Sequence, residues 1–262
     1  MPNPKIALAL GAGSARGIAH IGVLQVLEEY GIRPDLIVGC SMGAMVGATY
    51  VVGTNLNILG QLVCQLRYKS MFDFTFPKMG FISGKKIVEF IDLMTKKKSF
   101  ADLTDQQFIV VATDLVELKR VIFTEGSIAE AVRASISVPG VFEPVIKDGM
   151  VLVDGALIER LPVEVAREQN PDIIIAVDVN SGRQDPVQVN SILDVLMNSI
   201  DLMQRHQFQP RNLKVDALIQ PEVSHYSPGG FDHAAELIEA GRIATLKAIP
   251  KIQKAIKKFE TV

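Results

Sequence analysis

The chain has 262 residues, 48% of them apolar, with 27 basic against 29 acidic side chains for a formal charge of -2. That length can bury a large core in one domain, and a charge so near neutral excludes a general attraction to nucleic acid or to anionic lipid. Two cysteines, Cys40 and Cys64, cannot build a disulfide framework, so a reducing, cytoplasmic setting is expected.

At the N-terminus, Lys5 followed by IALALGA has the charge-then-apolar order of a signal peptide. The run is short and Arg16 follows it, so it reads as a buried strand. The loop GAGSARG, Gly11 to Gly17, comes next, then a helical pattern from Ile18 to Glu29, the strand DLIVG and a second helix from Met42 to Val52. Leu36 to Leu66 carries no charge and is long enough to span a bilayer. Glycine and asparagine interrupt it repeatedly, which favours strand, turn and core helix.

Residues 67–100 differ in composition: eight Lys and Arg against three Asp and Glu give a local charge of +5 around MFDFTFPKMGF. The segment reads as a covering subdomain or lid. A membrane-facing surface is the alternative, with Phe72, Phe74, Phe76, Met79 and Phe81 at the acyl boundary and lysines against phosphates. Further strands are expected at 107–115, 120–126, 150–154, 172–179 and 215–221, and helices at 127–135, 161–169, 190–208 and 232–258. Strands alternating with helices imply βαβ units, hence an α/β fold around a mostly parallel sheet.

Two glycine-rich stretches follow strands. A dinucleotide loop would need a third glycine where GAGSARG has Arg16, which counts against a nucleotide site. Gly39-Cys40-Ser41-Met42-Gly43 is G-x-S-x-G between a strand and a helix, the setting of a nucleophile elbow, in which a strained serine is presented at the carboxyl end of the sheet. The plainer reading makes Ser41 a helix N-cap. A serine nucleophile needs an oxyanion hole, and the amides of Gly13 and Ser14 are placed to supply it. Arg16 either anchors that loop, meets an anionic head group or is a surface cation. The base is open at this point: His20 sits on a helix where packing is expected, His206, His225 and His233 are formal candidates, and the other option is a carboxylate. In KDGMVLVDGAL, Asp148-Gly149 reads as a hairpin turn; Asp154-Gly155 closes a strand ahead of a helix and taken alone reads as another turn, the alternative being that it sets Asp154 at the sheet end that carries Ser41.

GAGSARG, GCSMG and VDGAL in this order resemble the patatin-like phospholipase family, specifically its bacterial members related to the catalytic domain of neuropathy target esterase. GIAHIGVLQVLEE, FPKMGFISGKKI and EAVRASISVPGVFEPV also look like family sequence, so the likeness covers most of residues 5–180. The resemblance implies a three-layer α/β/α fold and a Ser-Asp dyad, with Ser41 attacking an acyl ester and Asp154 as base. It also implies an oxyanion loop of Gly11, Gly13, Ser14, Arg16 and Gly17, an elbow of Gly39, Cys40, Met42 and Gly43, and a D-G-A motif completed by Gly155 and Ala156. Ala12 and Ser14 stand where some relatives have glycine. The resemblance calls for no metal or other cofactor. The expected partner is an acyl-ester lipid, reached through transient contact with a membrane surface, and the sequence sets no oligomeric state. A small-ester or thioester hydrolase and a lipid-sensing protein with little turnover are the alternatives. Residues 181–262 are expected to complete the same domain.

Overall fold

Five runs, apolar except for Gln107, Thr113 and Asp114 of the third, build the centre of the molecule. In the computed structural model, which describes residues 3–66, 73, 79–182, 189, 192–207 and 213–260, β1 (Ile6–Leu10), β2 (Leu36–Cys40), β3 (Gln107–Asp114), β7 (Ile173–Val177) and β8 (Ala217–Ile219) lie parallel. Antiparallel strands flank them: β4 (Lys119–Phe123) on β3, and the hairpin β5 (Val145–Lys147) to β6 (Met150–Asp154), which joins the sheet through β3. The order is β5-β6-β3-β2-β1-β7-β8. Strands buried on both faces need no alternation of polar residues, and these show none.

Side chains alternate between two apolar clusters on opposite faces of this sheet. Ile6, Leu8 and Leu10 of β1 point into the larger cluster with Ile173, Ile175 and Val177 of β7, whereas Ala7 and Ala9 face the smaller one with Ile174 and Ala176. The larger cluster takes up residues of α1 (Ala19–Glu29), α2 (Met42–Val51), α3 (Leu56–Gln65), α4 (Lys85–Met94), α5 (Ile128–Ser135) and α9 (Ala234–Glu260). The smaller holds α7 (Val163–Glu168) through Val163, Val165 and Ala166. Between these come the short α6 (Ala156–Glu159) and α8 (Ile192–Gln207). The result is an α/β fold with a central, mostly parallel sheet.

The long α9 lies tightly against α1. A Cβ added at Gly22 would sit 1.9 Å from the Ile238 carbonyl oxygen, and one at Gly241 would sit 2.0 Å from that of Ala19, so each helix offers a glycine to the other's backbone. In this way residues beyond 230 pack on the first helix of the chain.

Three helices lie outside the expected elements: α3, α4 and the short α6. Asn55 is not a break but an N-cap: its side chain accepts the Asn57 and Ile58 amides and starts α3. In the segment 67–100, α4 buries Ile87 and Ile91, one turn apart, and leaves Lys85 and Lys86 exposed. Met79 and Phe81 are exposed as well, while Phe72, Phe74 and Phe76 lie outside the described residues. Asp148-Gly149 forms the expected hairpin turn, both residues at positive φ. Among the described residues no helix is long and apolar enough to cross a membrane.

Candidate active site

The carboxyl ends of β1 and β2 carry the two glycine-rich stretches. Ser41, directly after β2, has φ 54° and ψ -122°, a conformation costing on the order of 1–3 kcal/mol that persists only where its surroundings enforce it. The enforcement is steric and polar. At Gly43 a Cβ would stand 2.2 Å from the Leu10 carbonyl oxygen, so only glycine lets α2 start this close to β1. The Ser41 amide donates to Ser135 Oγ at 2.8 Å.

The Ser41 side chain makes no helix-cap bond, which removes the N-cap reading. Its Oγ instead donates to Asp154 Oδ2 at 2.6 Å, and both residues are buried. Sheet register explains the meeting. Cys40 pairs with Val111 of β3, and Asp154 pairs with the next residue, Ala112. The second carboxylate oxygen accepts the Ala156 amide at 2.9 Å and a long contact from the buried Cys40 thiol at 3.9 Å. Burial pushes the Asp154 carboxyl up to about 6, against the opposing hydrogen bonds from Ser41, Ala156 and Cys40. Burial, with Asp154 beside it, holds the Cys40 thiol well above its ordinary range, so it stays neutral.

GAGSARG wraps over the same end of the sheet, and its amides divide into two groups. Those of Gly11, Ala12 and Ala15 donate to the carbonyls of Val177, Arg160 and Pro228. Those of Gly13 and Ser14 find no acceptor among the described residues, and both residues line a cavity with Ser41 and Asp154. Ser14 takes a positive φ of 49°, and the short 3-10 turn Ser14–Ile18 leads into α1. Val138, Pro139 and Leu157 add apolar walls, and Asn198, Asp201 and Gln204 of α8 close the cavity to about 70 Å³. No described residue of 67–100 lines it.

Arg16 is 2% exposed, which corrects the surface-cation reading: Nε donates to the Tyr226 carbonyl at 2.8 Å and Nη1 to Asn180 Oδ1 at 3.3 Å. It anchors the loop. His20 is fully buried, and its Nε2 donates to the Gly11 carbonyl at 2.8 Å while Nδ1 has no partner among the described residues. Burial lowers its pKa to about 4, so the ring is neutral. The rings of His225 and His233 pack tilted against Tyr226, and neither bonds to Ser41 or Asp154. The side chain of His206 lies outside the described residues. Among the described residues no group of His, Cys, Asp and Glu side chains is placed to hold a metal ion.

The sequence model of one family, described as patatin-like phospholipase, matches residues 8–167, a span that runs from β1 through Ser41 and Asp154 to α7. The chain belongs to the patatin-like phospholipase family. It is 35% identical over 189 residues to an uncharacterised NTE family protein of Mycobacterium tuberculosis, covering 71% of this chain and 52% of that one. Over 226 residues it is 33% identical to patatin-like phospholipase domain-containing protein 7 of Rattus norvegicus, covering 83% of this chain and 16% of that protein. The chain thus spans about half the length of the mycobacterial relative and a small part of the mammalian one. The crystal structure of VipD from Legionella pneumophila shares the fold at a TM-score of 0.65 and 14% identity, covering 94% of this chain and 66% of that one.

In this patatin-like domain three residues absent from the sequence reading support the site. Asn180, in the turn after β7, donates from Nδ2 to the Ala12 carbonyl at 2.8 Å while its Oδ1 receives Arg16. Tyr226 contributes a backbone oxygen, which no sequence pattern announces. Ser135 lies in EAVRASISVPGVFEPV, a stretch noted for its family likeness but given no role.

Proposed function

We propose that this patatin-like domain is a serine hydrolase of acyl esters, acting on phospholipid or lysophospholipid through Ser41 and Asp154. The observation that carries this reading is the 2.6 Å hydrogen bond from Ser41 Oγ to Asp154 Oδ2, in a cavity onto which the Gly13 and Ser14 amides open. Asp154 accepts the Ser41 proton as Oγ attacks the ester carbonyl. The carbonyl oxygen becomes an oxyanion that the two amides hold. Collapse expels the alcohol, which takes the proton from Asp154 and leaves Ser41 acylated. Water then attacks, gives its proton to Asp154, and the acid departs as Ser41 regains its hydrogen. A carboxylate raised to about 6 is a better-matched base near neutral pH than an ordinary one, and the N-terminus of α2 favours negative charge at Oγ.

One observation favours a second reading, a small-ester or thioester hydrolase with the same dyad: the cavity over Ser41 is small, with Asn198, Asp201 and Gln204 of α8 among its walls. Labelling with a fluorophosphonate probe and mapping the modified residue tests the nucleophile. Turnover of short nitrophenyl esters, lysophospholipid and diacyl phospholipid, compared on one preparation, separates the two substrate classes. A probe that modifies another residue moves the nucleophile away from Ser41 and removes both readings, and one that modifies none favours a lipid-binding protein with little turnover.

A further inference from the structure

We propose that Ser135 is the positioning residue that fixes Ser41 in its strained conformation, an inference that rests on the reading of Ser41 as nucleophile. Ser135 is the last residue of α5, has no exposed surface and does not line the cavity. Its single hydroxyl proton goes to the Val111 carbonyl at 2.7 Å, which leaves its lone pairs for the Ser41 amide at 2.8 Å. Val111 is the β3 residue paired with Cys40, so Ser135 ties the end of β2 to β3 at the point where the chain leaves the sheet.

That tie answers a specific need. At φ 54° the Ser41 amide has left the β2 ladder and precedes the first helical bond of α2, which its own carbonyl accepts from Met45. A side chain must therefore satisfy this N–H, and Ser135 does. With the amide unpartnered, the least costly relaxation turns the Cys40–Ser41 peptide toward negative φ and swings Oγ away from Asp154. Asp154 cannot follow, because its own amide is held by the Ser137 carbonyl at 3.0 Å and its Oδ1 by Ala156. One short stretch thus grips both partners, Ser41 through the Ser135 hydroxyl and Asp154 through the Ser137 backbone. The engaged Ser41 amide is also unavailable to an oxyanion.

The test uses the full chain with Ser135→Ala, Ser135→Cys and Ser135→Thr, read by the rate of fluorophosphonate labelling at Ser41, by kcat and KM on p-nitrophenyl butyrate, and by Tm. Misplacing a nucleophile by about 1 Å costs on the order of 100-fold in rate, so Ser135→Ala is expected to lose about 10–100-fold in kcat and in labelling rate together. KM should stay within about twofold, because the contacts that bind substrate are untouched. Ser135→Cys, which keeps the volume but offers a poor acceptor, should fall in the same way even if the alanine variant does not fold. Ser135→Thr, which keeps the hydroxyl, should recover most of the rate. Alanine and cysteine variants that label and turn over at the parent rate overturn the proposal, as does a threonine variant no better than alanine. If Ser41 of the parent protein does not label, the nucleophile reading fails first and this inference falls with it.

Discussion

Ser41 lies 2.6 Å from Asp154, 113 positions later in the chain, because β3 receives both their strands on successive residues, Cys40 on Val111 and Asp154 on Ala112. A parallel crossover delivers the serine and an antiparallel hairpin delivers the carboxylate. The same burial that brings them together raises the Asp154 carboxyl to about 6.

Activity should therefore have an acid limb. Asp154 must be ionised to accept the Ser41 proton, so kcat/KM on a soluble ester is expected to rise with pH through about 6 and level off above 7. Ser41→Ala and Asp154→Asn should each lower kcat by at least about 1,000-fold while far-UV circular dichroism stays native. A limb centred near 4 would mean that Asp154 is not the group titrating.

The raised carboxyl also has a stability consequence. Between pH 3.8 and about 6 the folded protein holds a proton on Asp154 that the unfolded chain has released, so stability contributed by this residue falls as pH rises through that window. At ~1.4 kcal/mol per pH unit the loss is about 3 kcal/mol by pH 7. Asp154→Asn, which keeps the shape without the charge, should unfold at a higher temperature than the parent at pH 8. Its advantage should vanish below pH 4, where the parent carboxyl is protonated. Equal Tm values at pH 8 would contradict the shift.

Asn180 gives a test of the loop. Its Nδ2 fixes the Ala12 carbonyl and its Oδ1 receives Arg16, so removing it frees the two ends of GAGSARG from each other. Losing a direct oxyanion donor costs about 100–1,000-fold, and loosening one should cost less, roughly 10–100-fold in kcat for Asn180→Ala. Asn180→Asp keeps the acceptor for Arg16 but turns a carboxylate oxygen toward the Ala12 carbonyl, and should be no better. Steady-state kinetics on a short ester checks both, with KM expected to move little.

What the sequence revealed follows a physical division. Short apolar runs such as IALAL and LIVGC, each closed by glycine-containing turn sequence, read as buried strands, and the G-x-S-x-G turn displays its own strain requirement, so the sheet centre and Ser41 are legible. Ser135, Asn180 and Tyr226 are not, because each acts through one hydroxyl, one amide or one backbone oxygen whose partner is remote. Arg16 remained undecided for the same reason: its acceptors lie 164 and 210 positions away. Asn55 reads as an interruption in the sequence because cap and breaker share the same residue types. In α4 the flanking lysines hid the Ile87 and Ile91 period.

His20 should set the acid tolerance of the loop. Its pKa of about 4 against an ordinary 6.5 means that the unfolded chain binds the proton first, so this residue's contribution to stability is lost as pH falls from 6.5 through 4. The cause is desolvation: a second ring proton would sit on Nδ1, which is buried without an acceptor among the described residues. The loss, about 3 kcal/mol at ~1.4 kcal/mol per pH unit, nearly cancels the opposite gain from Asp154 over the same range. Asp154→Asn removes the gain and should expose the loss as a steep fall in Tm between pH 6.5 and 4. Adding His20→Gln, which keeps an amide donor for the Gly11 carbonyl but cannot titrate, should flatten that curve. Tm against pH for the parent, the single variant and the double variant decides it, and parallel curves for the last two would show that His20 is not the group responsible.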